Sequence, residues 1–364
     1  MRLAILISVV FPLLGSAATA DAVVPTRARH VSARQVAATS VPLPPTDANC
    51  RQTLGFPCYS PQEMQTAYGL APLLEAGYNG AGQTIILIES FGSPTIQQDL
   101  RIFDAGYGLP DPPSFTVLAP LGSVPFDPSD PGQVIWAQET SADVEWAHAM
   151  APGANIVVLT SPVDLNNSLR GLPEFLQLEQ YALDHHLGQI ISQSWGTTEN
   201  VLFGPGGQEV LDGFYRLYVR AALENVTVIA ASGDSGSANY DASGHYYPFP
   251  TVLFPASSPL VTAVGGTSLK ANTQGEYQSE MVWNDSYGAS GGGISQLFPE
   301  PLYQYGLAAA IQTTLKNHRG VPDVAFNADS GTPVVGYFGF YLNPANRGYY
   351  TLGGTYLFTG LTDL

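Results

Sequence analysis

The sequence predicts an α/β fold, a parallel sheet with helices on both faces. Three observations lead there. Short apolar runs at residues 84–89 (TIILIE), 154–159, 189–193 and 226–231 read as strands buried on both sides. Helical stretches of about 10–15 residues separate them, the length that a parallel crossover requires. No period of about 20–50 residues repeats, so solenoid and propeller architectures are not indicated.

Taken in order, residues 1–20 read as a secretory signal. Arg2 is the charged start, residues 3–14 are apolar, and Ala18-Thr19-Ala20 is a small-x-small cleavage site before Asp21. The apolar run of about 12 residues is too short to span a bilayer, which takes about 20. Export and a secreted location are expected. Residues 21–49 carry Ala, Val, Pro, Ser and Thr with Arg27, Arg29 and Arg34 but no periodicity, and read as a linker or the remnant of a pro-segment. Order is expected from Cys50, with residues 50–364 forming one domain. Cys50 and Cys58, an even count in an exported chain, suggest a disulfide.

Ser60-Pro61 is an N-cap followed by Pro at the first helical position, opening a helix to about Leu70. Ser93-Pro94 opens another to about Gly106. Helices are then expected at 139–150, 173–186 and 209–224, each followed by one of the apolar strands. After residue 240 the chain is rich in Gly, Pro and Tyr, with short strands such as 260–264. Asn166, Asn225 and Asn284 each head an Asn-x-Ser/Thr sequon.

Composition excludes some classes. The net charge is −17, from 30 acids against 13 bases, and only Lys270 and Lys316 are lysines. A nucleic-acid binder needs a basic surface to displace counterions, and none is present. No stretch after the signal is apolar enough for a membrane helix. A monomer is expected.

The sharpest candidate chemistry is Glu139-Thr-Ser-Ala-Asp143 on a helix. Positions i and i+4 share a face with Cβ atoms about 6 Å apart. Two carboxylates that close resist joint ionisation, so the pair can hold a proton in acid and do acid/base work. The plainer reading is a solvated acidic face near a helix N-terminus. A second candidate is Ser232-Gly-Asp-Ser-Gly236 at the C-terminal end of a strand, the edge where open α/β sheets place ligands. A glycine turn with a hydrogen-bonding Asp is the alternative there.

Other chemistries fit less well. Asp234-Ser-Gly and Asp329-Ser-Gly look like the paired loops of pepsin-type aspartic peptidases, but the strand–helix alternation contradicts an all-β, two-lobed enzyme. His185-His186 ends a helix, Glu145 and His148 form a single Glu-x-x-His, and no HExxH occurs, so no metal site is expected. A glycosidase could use two carboxylates, though only Trp146 and Trp195 hint at a sugar platform.

Together these pieces resemble the sedolisin family of serine-carboxyl peptidases, whose fold is subtilisin-like. The resemblance rests on motifs in order from about Cys50 onward: Tyr59-Ser-Pro-Gln with Thr66-Ala-Tyr-Gly, the Glu139…Asp143 helix, Gln193-Ser-Trp-Gly196, and Ser232-Gly-Asp-Ser-Gly236. Phe254-Pro-Ala-Ser-Ser-Pro259, Val264-Gly-Gly-Thr-Ser-Leu269, Ser290-Gly-Gly-Gly293 and Arg319-Gly-Val-Pro-Asp-Val-Ala325 follow. The resemblance implies hydrolysis of peptide bonds in acid. It makes Glu139 the general base, Asp143 the group that holds it, and Asp234 a protonated donor to the oxyanion. Glu89 becomes a supporting carboxylate, and Ser194, Trp195 and Gly196 line the cleft beside an extended peptide substrate.

The resemblance breaks at the nucleophile. The family's serine lies in a second Gly-Gly-Thr-Ser, where this chain reads Gly353-Gly354-Thr355-Tyr356. A tyrosine phenol, with a pKa of about 10, does not replace a serine activated by a carboxylate. The family's calcium site and the helix behind its nucleophile would lie beyond residue 364, so an incomplete C-terminal part and no cofactor are expected. Ser268, in the first Gly-Gly-Thr-Ser, is a poor substitute, because no helix follows it to supply amides for an oxyanion. A peptidase without turnover, binding extended peptides or a partner, is the alternative to an active enzyme.

Overall fold

The computed structural model describes residues 32–37, 43–165 and 168–355. The expected signal peptide, Asn166 and Tyr356 lie outside the described residues. The core is an eight-stranded sheet. Across it run Tyr277–Val282, Thr262–Ala271, Thr227–Ala231, Ile190–Gln193, Thr84–Ser90, Asn155–Ser161 and Phe115–Leu118, with Val324–Asn327 also paired to Thr262–Ala271. All pairs are parallel except the antiparallel edge strand Tyr277–Val282.

Alternation along the central strand explains the layering. Ile85 and Leu87 point to one face, packed with Leu100 of helix Ile96–Tyr107 and with Val144 and Ala147 of helix Pro131–Met150. Ile86 and Ile88 point to the other, against Phe175 of Leu172–Asp184 and Phe214 of Gly207–Leu223. Each such side chain contributes about 1.5–3 kcal/mol by leaving water, which is why both faces must be covered.

The long helix begins earlier than its sequence suggests, at Pro131 instead of residue 139. Asp130 caps it, its Oδ1 accepting from the Gly132 N–H at 2.8 Å, and Pro131 takes the first helical position. The Asp-Pro repeat before it reads as loop, and hid that start. The helix after Ser93-Pro94 likewise begins late, at Ile96. The Ser60 expectation is met by a capping box: the Ser60 N–H donates to Glu63 Oε2 at 2.7 Å and Glu63 N–H to Ser60 Oγ at 3.3 Å. That helix ends at Ala67. The Cys50–Cys58 disulfide is formed, with both cysteines buried.

Order was expected from Cys50, but the segment read as a linker or pro-segment remnant carries regular structure in two places. Helix Asp47–Thr53 starts before Cys50, capped by Thr46. Further back, Ser32–Ala37 is a strand, antiparallel to Gly348–Gly353, which in turn pairs with Val334–Phe338 in a separate three-stranded sheet. An edge strand is held by its backbone and needs little side-chain pattern. Here Ala33 and Val36 touch the core, Gln35 Nε2 donates to Ala345 O at 2.9 Å, and Thr351 Oγ1 donates to Arg34 O at 3.3 Å. The Arg34 guanidinium lies 6.0 Å from the Phe56 ring inside the disulfide loop.

This small sheet packs on the long helix. Trp146 Nε1 donates to Val335 O at 3.0 Å, and Tyr337 N–H donates to Glu145 Oε2 at 2.8 Å. The helix is therefore clamped between two sheets. Its Glu139, Asp143, Glu145 and His148 side chains are buried there.

Candidate active site

Three neighbouring parallel strands end on the same edge of the central sheet. Thr84–Ser90 delivers Glu89, Ile190–Gln193 leads into Ser194, and Thr227–Ala231 leads into the 232–236 turn. Strands in a sheet lie about 4.8 Å apart, so adjacent strand ends bring these residues close without long loops.

Glu139 and Asp143 are not a solvated face. Glu139 is 0% exposed and Asp143 4%, and Glu89, on the strand beneath, is 0%. Thr140, between the two acids, donates from Oγ1 to Trp136 O at 2.8 Å and lies 3.4 Å from Glu89 Oε2. Asp143 is hydrogen-bonded to both Ser194 and Glu89. Burial, then the charges of Asp143 and Glu139, then the Asp143 hydrogen bond raise the Glu89 carboxyl well above its usual range. Asp143 is raised as well, by burial first and the Glu139 charge second, while the hydrogen bonds from Ser194 and Glu89 oppose the shift. Carboxyls buried this close resist joint ionisation and can share a proton, so the three acids need not all be ionised.

Asp234 sits in the turn after its strand, 7% exposed. Its Oδ1 accepts from both the N–H and the Oγ1 of Thr355, each at 2.8 Å. The Ser290-Gly-Gly-Gly293 motif closes over that turn. Gly291 N–H donates to Gly233 O at 2.5 Å and Ser232 Oγ donates to Gly291 O at 2.7 Å. A Cβ on Gly291 would stand 2.0 Å from Ser232 O, so only glycine permits the approach.

The structure thus joins Glu89, Glu139, Asp143 and Ser194 in one group, and Asp234 with Thr355 in another on the same sheet edge. Two expected cleft residues take different parts. Ser194 is buried and gives its hydrogen bond to Asp143. The Trp195 side chain is a core residue, 1% exposed, with its ring 4.8 Å from Phe175 and 5.9 Å from Phe214. Gly196 follows with space limited by Leu253, 3.1 Å from where a Cβ would stand.

Thr140 and Thr355 are site residues that the sequence reading passed over. Their only signal is position, each directly after a residue of a recognised motif. Ser268 faces elsewhere: its Oγ donates to Asp329 Oδ2 at 2.5 Å. Asp329 and Asp234 therefore hold different partners, and an α/β core is incompatible with the pepsin-type arrangement. Among the described residues no group of three or more His, Cys, Asp or Glu side chains could hold a metal ion. No helix among them is long and apolar enough to cross a membrane.

No protein-family model matches the chain. It is 36% identical over 287 residues to kumamolisin of Bacillus sp. (strain MN-32), covering 77% of this chain and 47% of that protein. It is 29% identical over 288 residues to sedolisin of Pseudomonas sp. (strain 101), covering 77% and 46%. Tripeptidyl-peptidase 1 of Rattus norvegicus is 34% identical over 197 residues, 53% of this chain and 31% of that one. The chain thus spans just under half the length of the first two relatives. Among solved structures, Pseudomonas sedolisin, a serine-carboxyl proteinase complexed with two molecules of pseudo-iodotyrostatin, aligns with a TM-score of 0.65 and 28% identity. That alignment covers 85% of this chain and 80% of the sedolisin chain. By motif order, buried carboxyl network and these relatives, the chain belongs to the sedolisin family of serine-carboxyl peptidases.

Proposed function

We propose that this chain is an exported peptidase-family domain that receives extended peptides in acid and, with tyrosine at position 356, holds them without hydrolysis. The observation that carries the reading is the buried Glu89–Asp143–Glu139 network on the same sheet edge as the Asp234–Thr355 contact. In the reaction this arrangement serves, Glu139 takes the proton of a nucleophile and Asp143 orients it. Asp234, carrying a proton, donates to the oxyanion of the tetrahedral intermediate. By the family resemblance, position 356 is that of the nucleophile, and in this sequence it is a tyrosine. A phenol there is bulkier than a serine hydroxymethyl and lacks its geometry.

An acid working range is supported by the interior. Glu145 and Glu179 are fully buried, and burial raises both carboxyls well above their usual range. Such groups are neutral in acid and costly to ionise at higher pH. Export is supported by the 1–20 signal pattern and the disulfide.

The test is incubation of the purified protein with a mixed peptide library at about pH 4 and pH 7, with Glu139→Ala as control, read by mass spectrometry and by peptide retention. Retention in acid without new termini is the expected result. Cleavage in acid that Glu139→Ala abolishes would instead establish an active enzyme with another nucleophile. Absence of both retention and cleavage by the folded protein would refute the reading.

A further inference from the structure

Thr355 reaches the Asp234 carboxyl through both of its hydrogen-bond donors. Thr355 is completely buried. Its N–H and its Oγ1 both reach Asp234 Oδ1, at 2.8 Å each, and the same Oγ1 accepts from the Gly233 N–H at 3.1 Å. A backbone N–H can only donate, so the single hydroxyl proton of Thr355 is directed at Asp234. Its methyl is placed too: a Cβ on Gly266 would come within 3.0 Å of Thr355 Cγ2. The turn behind it is pinned, with Gly354 N–H donating to Ala328 O at 2.7 Å. Gly353 is seated so closely that a Cβ there would meet Ser330 Oγ at 2.6 Å.

One carboxyl oxygen is therefore committed as acceptor of two hydrogen bonds, and a proton on Asp234 belongs on the other. We propose that Thr355 is the positioning residue of Asp234, reserving Oδ1 as acceptor so that the acid proton resides on Oδ2 and its direction is fixed. This rests on the reading of Asp234 as the donor to an oxyanion. A donor that must meet a developing charge needs its proton on a defined atom before the charge appears, because reorienting a buried carboxyl during the reaction would add to the barrier. Serine would keep the hydroxyl and lose the methyl contact. Valine would keep the shape and lose the hydroxyl. Only threonine supplies both along with its amide.

The experiment is a carboxyl ¹³C titration of the full chain labelled at aspartate, with the Asp234 resonance assigned by its loss in Asp234→Asn. Hydrogen bonds to an ionised carboxylate favour that form, so Thr355→Val is expected to move the titration midpoint upward by about half a pH unit or more. Thr355→Ser is expected to restore it. An unmoved midpoint in Thr355→Val, with native near-UV dichroism retained, would overturn the proposal. If that variant does not fold, the wild-type chain still decides: the Thr355 and Gly233 amide protons should shift with the Asp234 titration. Amide shifts independent of it would overturn the proposal equally. Both readouts report on the carboxyl and its donors and involve no peptide, so a failure here is distinguishable from a failure of the peptide-binding reading.

Discussion

Asp104→Asn should change how stability depends on pH, and the structure says in which direction. Asp104, on helix Ile96–Tyr107, is 1% exposed, and neither of its oxygens accepts a hydrogen bond. Its neighbour is His148 on the long helix, Nε2 to Oδ1 at 3.5 Å, while that same Nε2 lies 2.7 Å from Pro110 O. Burial, with a smaller contribution from the Asp111 charge, pushes Asp104 up to about 8, and burial pushes His148 below its usual 6.5. The folded pair therefore holds one proton, on Asp104, beside a neutral histidine.

In the unfolded chain the pair holds one proton between about pH 4 and 6.5, on the histidine, so folded and unfolded states balance there. Above pH 6.5 the unfolded chain releases that proton while the folded pair keeps its own to about pH 8, so the pair's contribution to stability falls as pH rises. With Asn at 104, only His148 remains. Its depressed value means that stability is instead lost as pH falls below 6.5.

The difference between variant and wild type should grow with pH by about 1.4 kcal/mol per unit across a window of about four units, or about 5 kcal/mol in all. Urea denaturation of both proteins at unit steps from pH 4 to 8 measures it. Glu145, which is also raised, is present in both proteins and largely cancels from the comparison. Parallel stability–pH curves would refute the assignment of the proton to Asp104.

Other outcomes follow from single side chains. Trp195→Ala should cost about 3–5 kcal/mol in chemical denaturation, because a fully packed ring is removed from the core, whereas a solvent-facing cleft residue would cost far less. Arg319 is wholly buried, pairs through both guanidinium nitrogens with Asp323, and lies 5.6 Å from the Tyr303 ring. Arg319→Ala should lower the denaturation free energy by about 2–4 kcal/mol, by removing a wholly buried side chain with its hydrogen bonds to Gly320 O and Asp323. Tyr356→Ser should yield acid peptide hydrolysis that Glu139→Ala removes, measured by the same peptide-library assay. No hydrolysis by a folded Tyr356→Ser protein would show that the missing serine is not the sole obstacle.

Much of this architecture was legible because it follows short-range rules. The apolar strands fell within a residue or two of their observed bounds, since burial on both faces demands continuous hydrophobicity. The i, i+4 spacing of Glu139 and Asp143 placed them on one helix face. Sequence could not tell whether that face met solvent, because burial depended on Glu89, fifty residues away, and on a sheet made by residues beyond 330. The inward turn of the Trp195 ring was not legible either, because adjacency to Ser194 in the chain says nothing about which side of the strand end a ring takes. Ser32–Ala37 was invisible because its partner supplies what orders it. Thr355 was overlooked because a threonine beside a tyrosine draws no notice until Asp234 is seen against it.

The strand Ser32–Ala37 also bears on when the site can come into being. Arg34 and Thr351, hydrogen-bonded to one another, are separated by 317 positions in sequence. Contacts that distant form late in folding, since the intervening chain must be ordered before they give any return. The strand that ends in Gly353 and leads directly to Thr355 and Asp234 is the one waiting for this partner. During synthesis, the earlier strand must remain unpaired while more than three hundred residues emerge. The acid-holding turn is thus among the last features to be assembled, and a nascent chain carries the carboxylates without the arrangement that would make them act together.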